Sequence, residues 1–355
     1  MSVPFASGVG EVRTESRPVC SICGAHAGRV RYAGLTDRLF SAGGKWNLVE
    51  CSNLVCGMLW LDPAPAAADL PRLYSHYYTH EAEPPRRPSV LDRLFRRAEG
   101  AYLAEYYGYG EVRGTWLARI QATLMYLRPS RRAALDADVF YLHACPGERL
   151  LEIGCGSGAM LRRMQLRGWQ VEGIDFDPAA VAQAKGLGLQ VSVGDILKMA
   201  LPADAYNVVV MSHVIEHVPD PQSLLRECWR LLRPGGRLVM ITPNSRALSH
   251  RLFSRYWMPL DPPRHLALFT VSALGRLGEA ASFDVETLRT TVRGASGVLE
   301  ASVSIMHKGR YVMGQRSSPS LRLLGDLWQL LVSVAVLFVP AWGEEILYMG
   351  RKPHT

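Results

Sequence analysis

The sequence predicts a doubly wound α/β domain starting near residue 146, preceded by a four-cysteine module and a helical linker. Three observations carry this. Short apolar strands alternate with helical stretches from Glu148 onward, a glycine-rich turn follows the first of those strands, and four of the seven cysteines fall in the first 56 residues. Alternation at this spacing argues for a parallel sheet covered on both faces by helices.

The elements follow in order. Cys20, Cys23, Cys51 and Cys56 lie among short β-like runs, Arg29 to Tyr32 and Lys45 to Glu50, and Pro63 and Pro65 close this module over residues 15–65. Residues 66–145 read mainly helical, with an aromatic cluster at Tyr74, Tyr77 and Tyr78. The Pro- and Arg-rich stretch Glu83 to Arg97 reads as an exposed hinge leading into a helix. Over residues 146–355 the strands are RLLEIG, QVEGID, LQVSVGD, YNVVVMS and GRLVMITP, then Phe283 to Thr291 and Glu345 to Arg351. Helices are expected at Ala159 to Arg167, Pro178 to Lys185, Asp220 to Leu232 and Val271 to Ala281, with a helical insert at about 320–341.

Composition narrows the class. The chain is 48% hydrophobic and 20% charged, as expected of a globular protein, and its net charge of +8 suits nucleic acid, an anionic membrane surface or a phosphorylated substrate. The N-terminus lacks a basic stretch followed by an apolar run, so no secretory signal is expected. Seven cysteines then point to a reducing, cytoplasmic setting, with thiols or metal rather than disulfides. The longest apolar run, Leu327 to Val339, is shorter than the roughly 20 residues a spanning helix needs. A buried helix is the preferred reading, and a membrane-surface element the alternative.

Leu150 to Met160 reads LLEIGCGSGAM, a strand running through Gly154, Gly156 and Gly158 into a helix. Glycines here let the backbone turn tightly and approach a ligand with no Cβ in the way. The spacing differs from that of dinucleotide binders, whose pyrophosphate needs a helix N-terminus. Asp175 stands twenty-one residues beyond Gly154 at the end of the next strand. It can accept hydrogen bonds from both hydroxyls of a ribose. Asp195 and Ile196 follow the third strand, placed to accept from an adenine amino group and to cover its ring.

EIGCGSG, GIDFDP, VGDI, SHVIEHVPDP and LLRPGGRLVMITPN together resemble the class I S-adenosylmethionine-dependent methyltransferases. The resemblance implies a Rossmann-like sheet of seven strands with the last one antiparallel, for which GEEILYMGRK is suited. It also implies that Glu152, Gly154, Gly156 and Gly158 line the methionine end of S-adenosyl-L-methionine and that Asp175 holds the ribose. Phe176 and Ile196 would flank adenine, Asp195 would meet its amino group, and His213 would lie under the cofactor.

His213 to His217 also forms H-x-x-E-H, a zinc-protease pattern. Its place after a strand at the sheet edge favours the methyltransferase reading. His217 either packs locally or faces the substrate. His265, in LDPPRHLALFT, either belongs to a turn that starts the next helix, capped by Thr270, or lies over the active site. A similar Pro-Pro-Arg-His segment occurs in bacterial methyltransferases of this kind. Methyl transfer to oxygen needs a base, and a histidine titrating near neutrality can serve, so His265 and His217 are the catalytic candidates.

Cys20-x2-Cys23 and Cys51-x4-Cys56 offer four thiolates to a structural Zn2+, with His26 as a substitute ligand and redox thiols as the other reading. Cys145, Cys155 and Cys228 read as ordinary buried residues. A cysteine module ahead of a methyltransferase domain is similar to the sugar C-methyltransferases and related glycan and natural-product enzymes, down to VECSNLVCGMLWLDP followed by LYSHYY. A ribosomal RNA methyltransferase with a zinc knuckle is the rival resemblance. The preferred reading is methyl transfer to a small molecule: a sugar, nucleotide-sugar or carrier-linked glycan. The alternatives are an RNA methyltransferase and a non-catalytic zinc- and cofactor-binding recruitment protein. The basic Arg86 to Arg97 segment and the apolar run at Leu327 also permit peripheral membrane association with no transmembrane segment.

Overall fold

The structure is a computed structural model describing residues 12–74, 90–110, 114–315 and 317–354, with the side chains of 90–94 left aside. Tyr77, Tyr78 and residues 83–89 of the expected hinge lie outside the described residues.

The cysteine module is built from β1 (Thr14–Glu15), β2 (Ala27–Leu35), β3 (Trp46–Cys51), β4 (Leu59–Leu61) and β5 (Ala64–Pro65). The linker supplies α1 (Val90–Tyr102), α2 (Trp116–Thr123) and α3 (Pro129–Ala137). The α/β domain then runs β6 (Arg149–Ile153), α4 (Ala159–Leu166), β7 (Gln170–Asp175), α5 (Pro178–Gly186), β8 (Gln190–Val193), β9 (Tyr206–Ser212), α6 (Pro221–Leu231) and β10 (Leu232–Pro243). It continues through α7 (Leu248–Phe253), β11 (Ala267–Leu268), α8 (Val271–Ala280) and β12 (Asp284–Thr291), and ends with α9 (Ala295–Lys308), α10 (Pro319–Phe338) and β13 (Glu345–Arg351).

Seven strands form one sheet in the order β12-β13-β10-β9-β6-β7-β8. Neighbours from β10 to β8 are parallel, and β13 runs antiparallel to both β10 and β12. This is the Rossmann-like arrangement expected, with its last strand reversed. Helix starts follow their sequence signals: Asp177, Asp220 and Thr270 accept the orphan N–H groups of α5, α6 and α8.

The period-two alternation of the strands explains how the N-terminal segments attach. Leu151, Ile153, Val209, Met211, Leu238 and Met240 face one side, in a single core with Cys20, Cys51, Cys56, Met58 and Trp60. Leu150, Val208, Val210, Val239 and Ile241 face the other, against Tyr102, Met125, Leu135 and Phe140. Backbone pairing joins the module to the domain as well. Strand β11 extends the small sheet to the order β11-β4-β3-β2, with Ala267 opposite Trp60 and Leu268 opposite Leu59.

Two expectations need correction. The apolar helix is not buried: of α10 only Gly325, Gln329 and Val332 are, while Leu327, Leu337 and Phe338 expose 56%, 78% and 81% of their surfaces. An apolar run meets the same sequence test whether it faces a core or something outside the chain. Cys145 is only partly buried, unlike Cys155 and Cys228. In addition, the insert holds a further helix, α9, ahead of the expected one.

Candidate active site at the carboxyl edge of the sheet

The glycine turn leaves β6 in a conformation that only glycine adopts freely. Gly154, Gly156 and Gly158 have φ of +72°, +52° and +78°. A Cβ on Gly154 would stand 2.4 Å from Val214 Cγ2, and one on Gly158 2.5 Å from Leu189 Cδ1. A Cβ on Gly156 would meet nothing within 4 Å, so that glycine keeps open the space a ligand enters.

Two carboxylates frame this space. Asp175 Oδ2 accepts the Gly156 N–H at 2.8 Å and Oδ1 accepts the Asp177 N–H at 2.9 Å, which fixes both oxygens with lone pairs to spare. Glu152 is buried, and its Oε2 has no hydrogen-bond partner. Burial, and secondarily the neighbouring Asp175, push its carboxyl well above the ordinary range. A buried acceptor with nothing to accept from is what a ligand's donor satisfies. Beyond β7, Phe176 is half exposed and meets the Tyr74 ring edge-on at 4.9 Å. Ile196 is buried; the exposed Asp195 accepts the Leu197 N–H and lies 3.5 Å from Lys198 Nζ. These are the parts of a nucleoside pocket, and the open cradle at Gly156 and the orphaned Glu152 oxygen fit S-adenosyl-L-methionine.

A second cluster lies along the same edge, after β9. His213 sits at φ +56°, a backbone region that a side chain such as its own rarely adopts. Its Nε2 is 2.8 Å from Glu345 Oε1 and its Nδ1 is 3.3 Å from Glu216 Oε1. Burial favours the neutral ring, but the two carboxylates outweigh it and hold His213 at about 9. Glu216 is fully buried; Oε2 accepts the Thr242 hydroxyl at 2.9 Å, and burial is overcome by His213, leaving it at about 2.

His217 and His265 complete the cluster, ring centroids 4.6 Å apart. The His265 Nδ1–H donates to Pro259 O at 2.7 Å, since a carbonyl can only accept. The Arg264 carbonyl likewise accepts from His217 Nδ1 at 3.0 Å, and Tyr74 Oη lies 2.9 Å from the same nitrogen. Each ring is therefore left with an unprotonated Nε2, and that of His265 lies 4.0 Å from Glu216 Oε1. Burial, with the other ring's charge adding for His217, pulls both histidines down to about 4, below the near-neutral titration expected of them from the sequence.

The loop bearing His265 is held by a contact that sequence reading missed. Fully buried Arg264 donates to both oxygens of Asp37 at 2.7 Å and also binds Asp261. Asp37, in the cysteine module, is 227 residues away, beyond any local signal. Thr270 does cap α8, accepting the Ala273 N–H, while its hydroxyl donates to Cys56 O at 2.6 Å. The turn reading of this loop holds, and the loop brings His265 beside His217 and Glu216. Glu345 was read only as the start of a strand.

The four module thiols converge, with Cys20 Sγ 3.8 Å from Cys56 Sγ and Cys23 Sγ 3.5 Å from Cys51 Sγ. All four lie within 4.8 Å of one another, and His26 is not in the group. Asn53 explains the wider second pair: its Oδ1 accepts the Val55 and Cys56 N–H groups and turns the chain back.

Comparison with known proteins agrees with this geometry. A methyltransferase-domain family matches residues 113–288. A ubiquinone biosynthesis O-methyltransferase of Aeromonas salmonicida is 34% identical over 175 residues, 46% of this chain and 71% of that protein. A probable S-adenosylmethionine-dependent methyltransferase of Mycolicibacterium smegmatis is 33% identical over 200 residues, 55% of this chain and 73% of its own. A solved S-adenosylmethionine-dependent methyltransferase from Mesorhizobium loti aligns with 62% of this chain and 97% of its own, at 18% identity and a TM-score of 0.43. With the glycine turn, Asp175 and the sheet order all in place, this chain belongs to the class I S-adenosylmethionine-dependent methyltransferases and is a methyltransferase.

Proposed function

We propose that the enzyme methylates an oxygen of a small molecule, a sugar, nucleotide-sugar or carrier-linked glycan, with His265 as the base. The observation that carries this reading is the His265 ring itself. It is neutral, its Nδ1–H is tied to Pro259 O, and its free Nε2 sits beside the buried carboxylate of Glu216. Such a ring takes the proton of an acceptor hydroxyl at Nε2, and Glu216 stabilises the imidazolium that forms. The bound cofactor supplies an electrophilic methyl on a sulfonium. Glu152, Asp175, Phe176, Asp195 and Ile196 would hold it, with His213 close by on the same sheet edge. His217 and Tyr74 bound the acceptor side. The O-methyltransferase name of the Aeromonas relative supports oxygen as the acceptor atom.

The cysteine cluster supports a structural zinc on Cys20, Cys23, Cys51 and Cys56. Tetrahedral bonds of about 2.3 Å set sulfurs about 3.8 Å apart, close to the separations of the two pairs. Metal analysis of protein purified without chelator is expected to give one zinc per chain, and its absence would remove this assignment.

The test of function is methyl transfer from labelled S-adenosylmethionine into a cell extract split into RNA, lipid-linked and small-molecule fractions. Label resistant to ribonuclease in either of the last two is expected. Label that ribonuclease removes would overturn the reading in favour of RNA.

A further inference from the structure

We infer that α10 is a bilayer-docking element: its outward apolar face and the basic end of the α9–α10 hairpin seat the enzyme on an anionic lipid surface. The inward face of α10 is small and polar. Gly325 packs on Ser296 and Glu300 of α9, and the buried Gln329 donates to Val292 O at 2.7 Å and accepts the Ser296 N–H. These contacts run up α10 and down α9, so the helices are antiparallel and the orientation of α10 is fixed. Leu323, Leu327, Leu330, Leu331, Val334, Leu337 and Phe338 are thereby turned outward, all substantially exposed. Among the described residues α10 is the one helix long and apolar enough to cross a membrane by length and composition. Its inward contacts with α9 make a surface seat the fitting arrangement.

The chemistry of that face identifies its occupant. From Leu327 to Gly343 there is no charged residue. The Ser333 hydroxyl is turned back to donate to Gln329 O at 2.7 Å, so the outward stripe offers no side-chain hydrogen-bonding group. A protein interface carries about one hydrogen bond per 100–200 Å2, whereas hydrocarbon asks for none. Within α10 the charged residues, Arg322 and Asp326, fall in the first half, and in the sequence 306–338 Lys308, Arg310, Arg316 and Arg322 outnumber Asp326, a basic excess complementary to acidic headgroups.

The hairpin also has a meaningful root. It leaves the sheet after Thr291 and returns at Glu345, residues paired with each other at the carboxyl edge where Glu345 meets His213. Lipid docking would therefore bring the site edge toward the bilayer. The corollary that the acceptor is carried by an amphiphile rests on the methyl-transfer reading above; the docking itself does not.

The test is flotation of the full chain with vesicles of phosphatidylcholine alone or with added phosphatidylglycerol. Binding to the anionic vesicles is expected, lost in Leu330→Glu/Leu331→Glu and weakened about fivefold in Arg322→Gln, the effect of one basic charge at such a surface. S-adenosylmethionine affinity, measured by titration, is expected to be unchanged in both variants, which separates docking from folding and from the cofactor site. No flotation of the wild type would overturn the proposal. So would a stable dimer in light scattering that Leu330→Glu/Leu331→Glu renders monomeric, since a second copy would then cover the face.

Discussion

The glycine-turn region proposed for the cofactor and the histidine cluster proposed for the acceptor share one sheet edge but are assembled differently. Glu152, Gly154, Gly156 and Gly158 come from one strand and the turn after it, and Asp175 and Asp195 from the ends of the next two strands in sequence. His213, Glu216, His265 and Glu345 are spread over more than a hundred residues and meet as ionisable side chains, buried except for the partly exposed His213. The first region depends on backbone conformation, so single glycines matter. The second depends on paired ionisable groups in a dry setting, where removing one partner leaves the other uncompensated. Substitutions in the two regions should therefore fail in different ways.

The sharpest contrast is expected at His265. His265→Gln should lower kcat by about 10²–10⁴-fold, the usual contribution of a positioned base, with S-adenosylmethionine affinity unchanged. A loss of less than threefold in a steady-state assay would show that proton removal does not depend on this ring. Next in size is Arg264→Leu, which leaves Asp37 and Asp261 buried without their cation. Breaking such a network by removing one partner costs about 3–5 kcal/mol, to be read from urea denaturation. A variant as stable as the wild type would mean that the module does not brace the His265 loop.

On the cofactor side the expected effect is smaller and lies in binding. Asp175→Ala should weaken S-adenosylmethionine by about tenfold or more, since a hydrogen bond to a charged group contributes about 1.5–3 kcal/mol. Because Asp175 also holds the Gly156 and Asp177 N–H groups, the melting temperature without ligand should be measured alongside. Unchanged affinity in a calorimetric titration would end the ribose assignment.

The same division governs what could be read before the structure. All seven strands of the main sheet were legible, because each is a short apolar run and the order of glycine turn, Asp175 and Asp195 is local. The histidines could be nominated, but their company could not. Nothing near His213 in sequence announces Glu345, and nothing near Arg264 announces Asp37. The exposure of α10 was illegible for a different reason. Its apolar pattern runs right round the helix, and which side faces protein was decided by Gly325 and Gln329, residues that composition treats as breaks in the run.

A last expected effect is a pH dependence of stability with opposite contributions from the histidines. His217, His250 and His265 are held at about 4, below the ordinary value of 6.5, by burial first of all. Between those values the unfolded chain binds protons that the folded one refuses. Their contribution is therefore present above about 6.5 and lost as pH falls toward 4. His213, held at about 9 because Glu216 and Glu345 outweigh its burial, behaves in reverse. Its contribution is complete below about 6.5 and lost as pH rises through 9. Urea midpoints should therefore fall away on both sides of neutrality, with the acid limb shallower in His265→Gln and the alkaline limb shallower in His213→Gln. If the acid limb were unchanged in His265→Gln, the folded ring would titrate near its unfolded value of 6.5, and burial would not be what keeps it neutral.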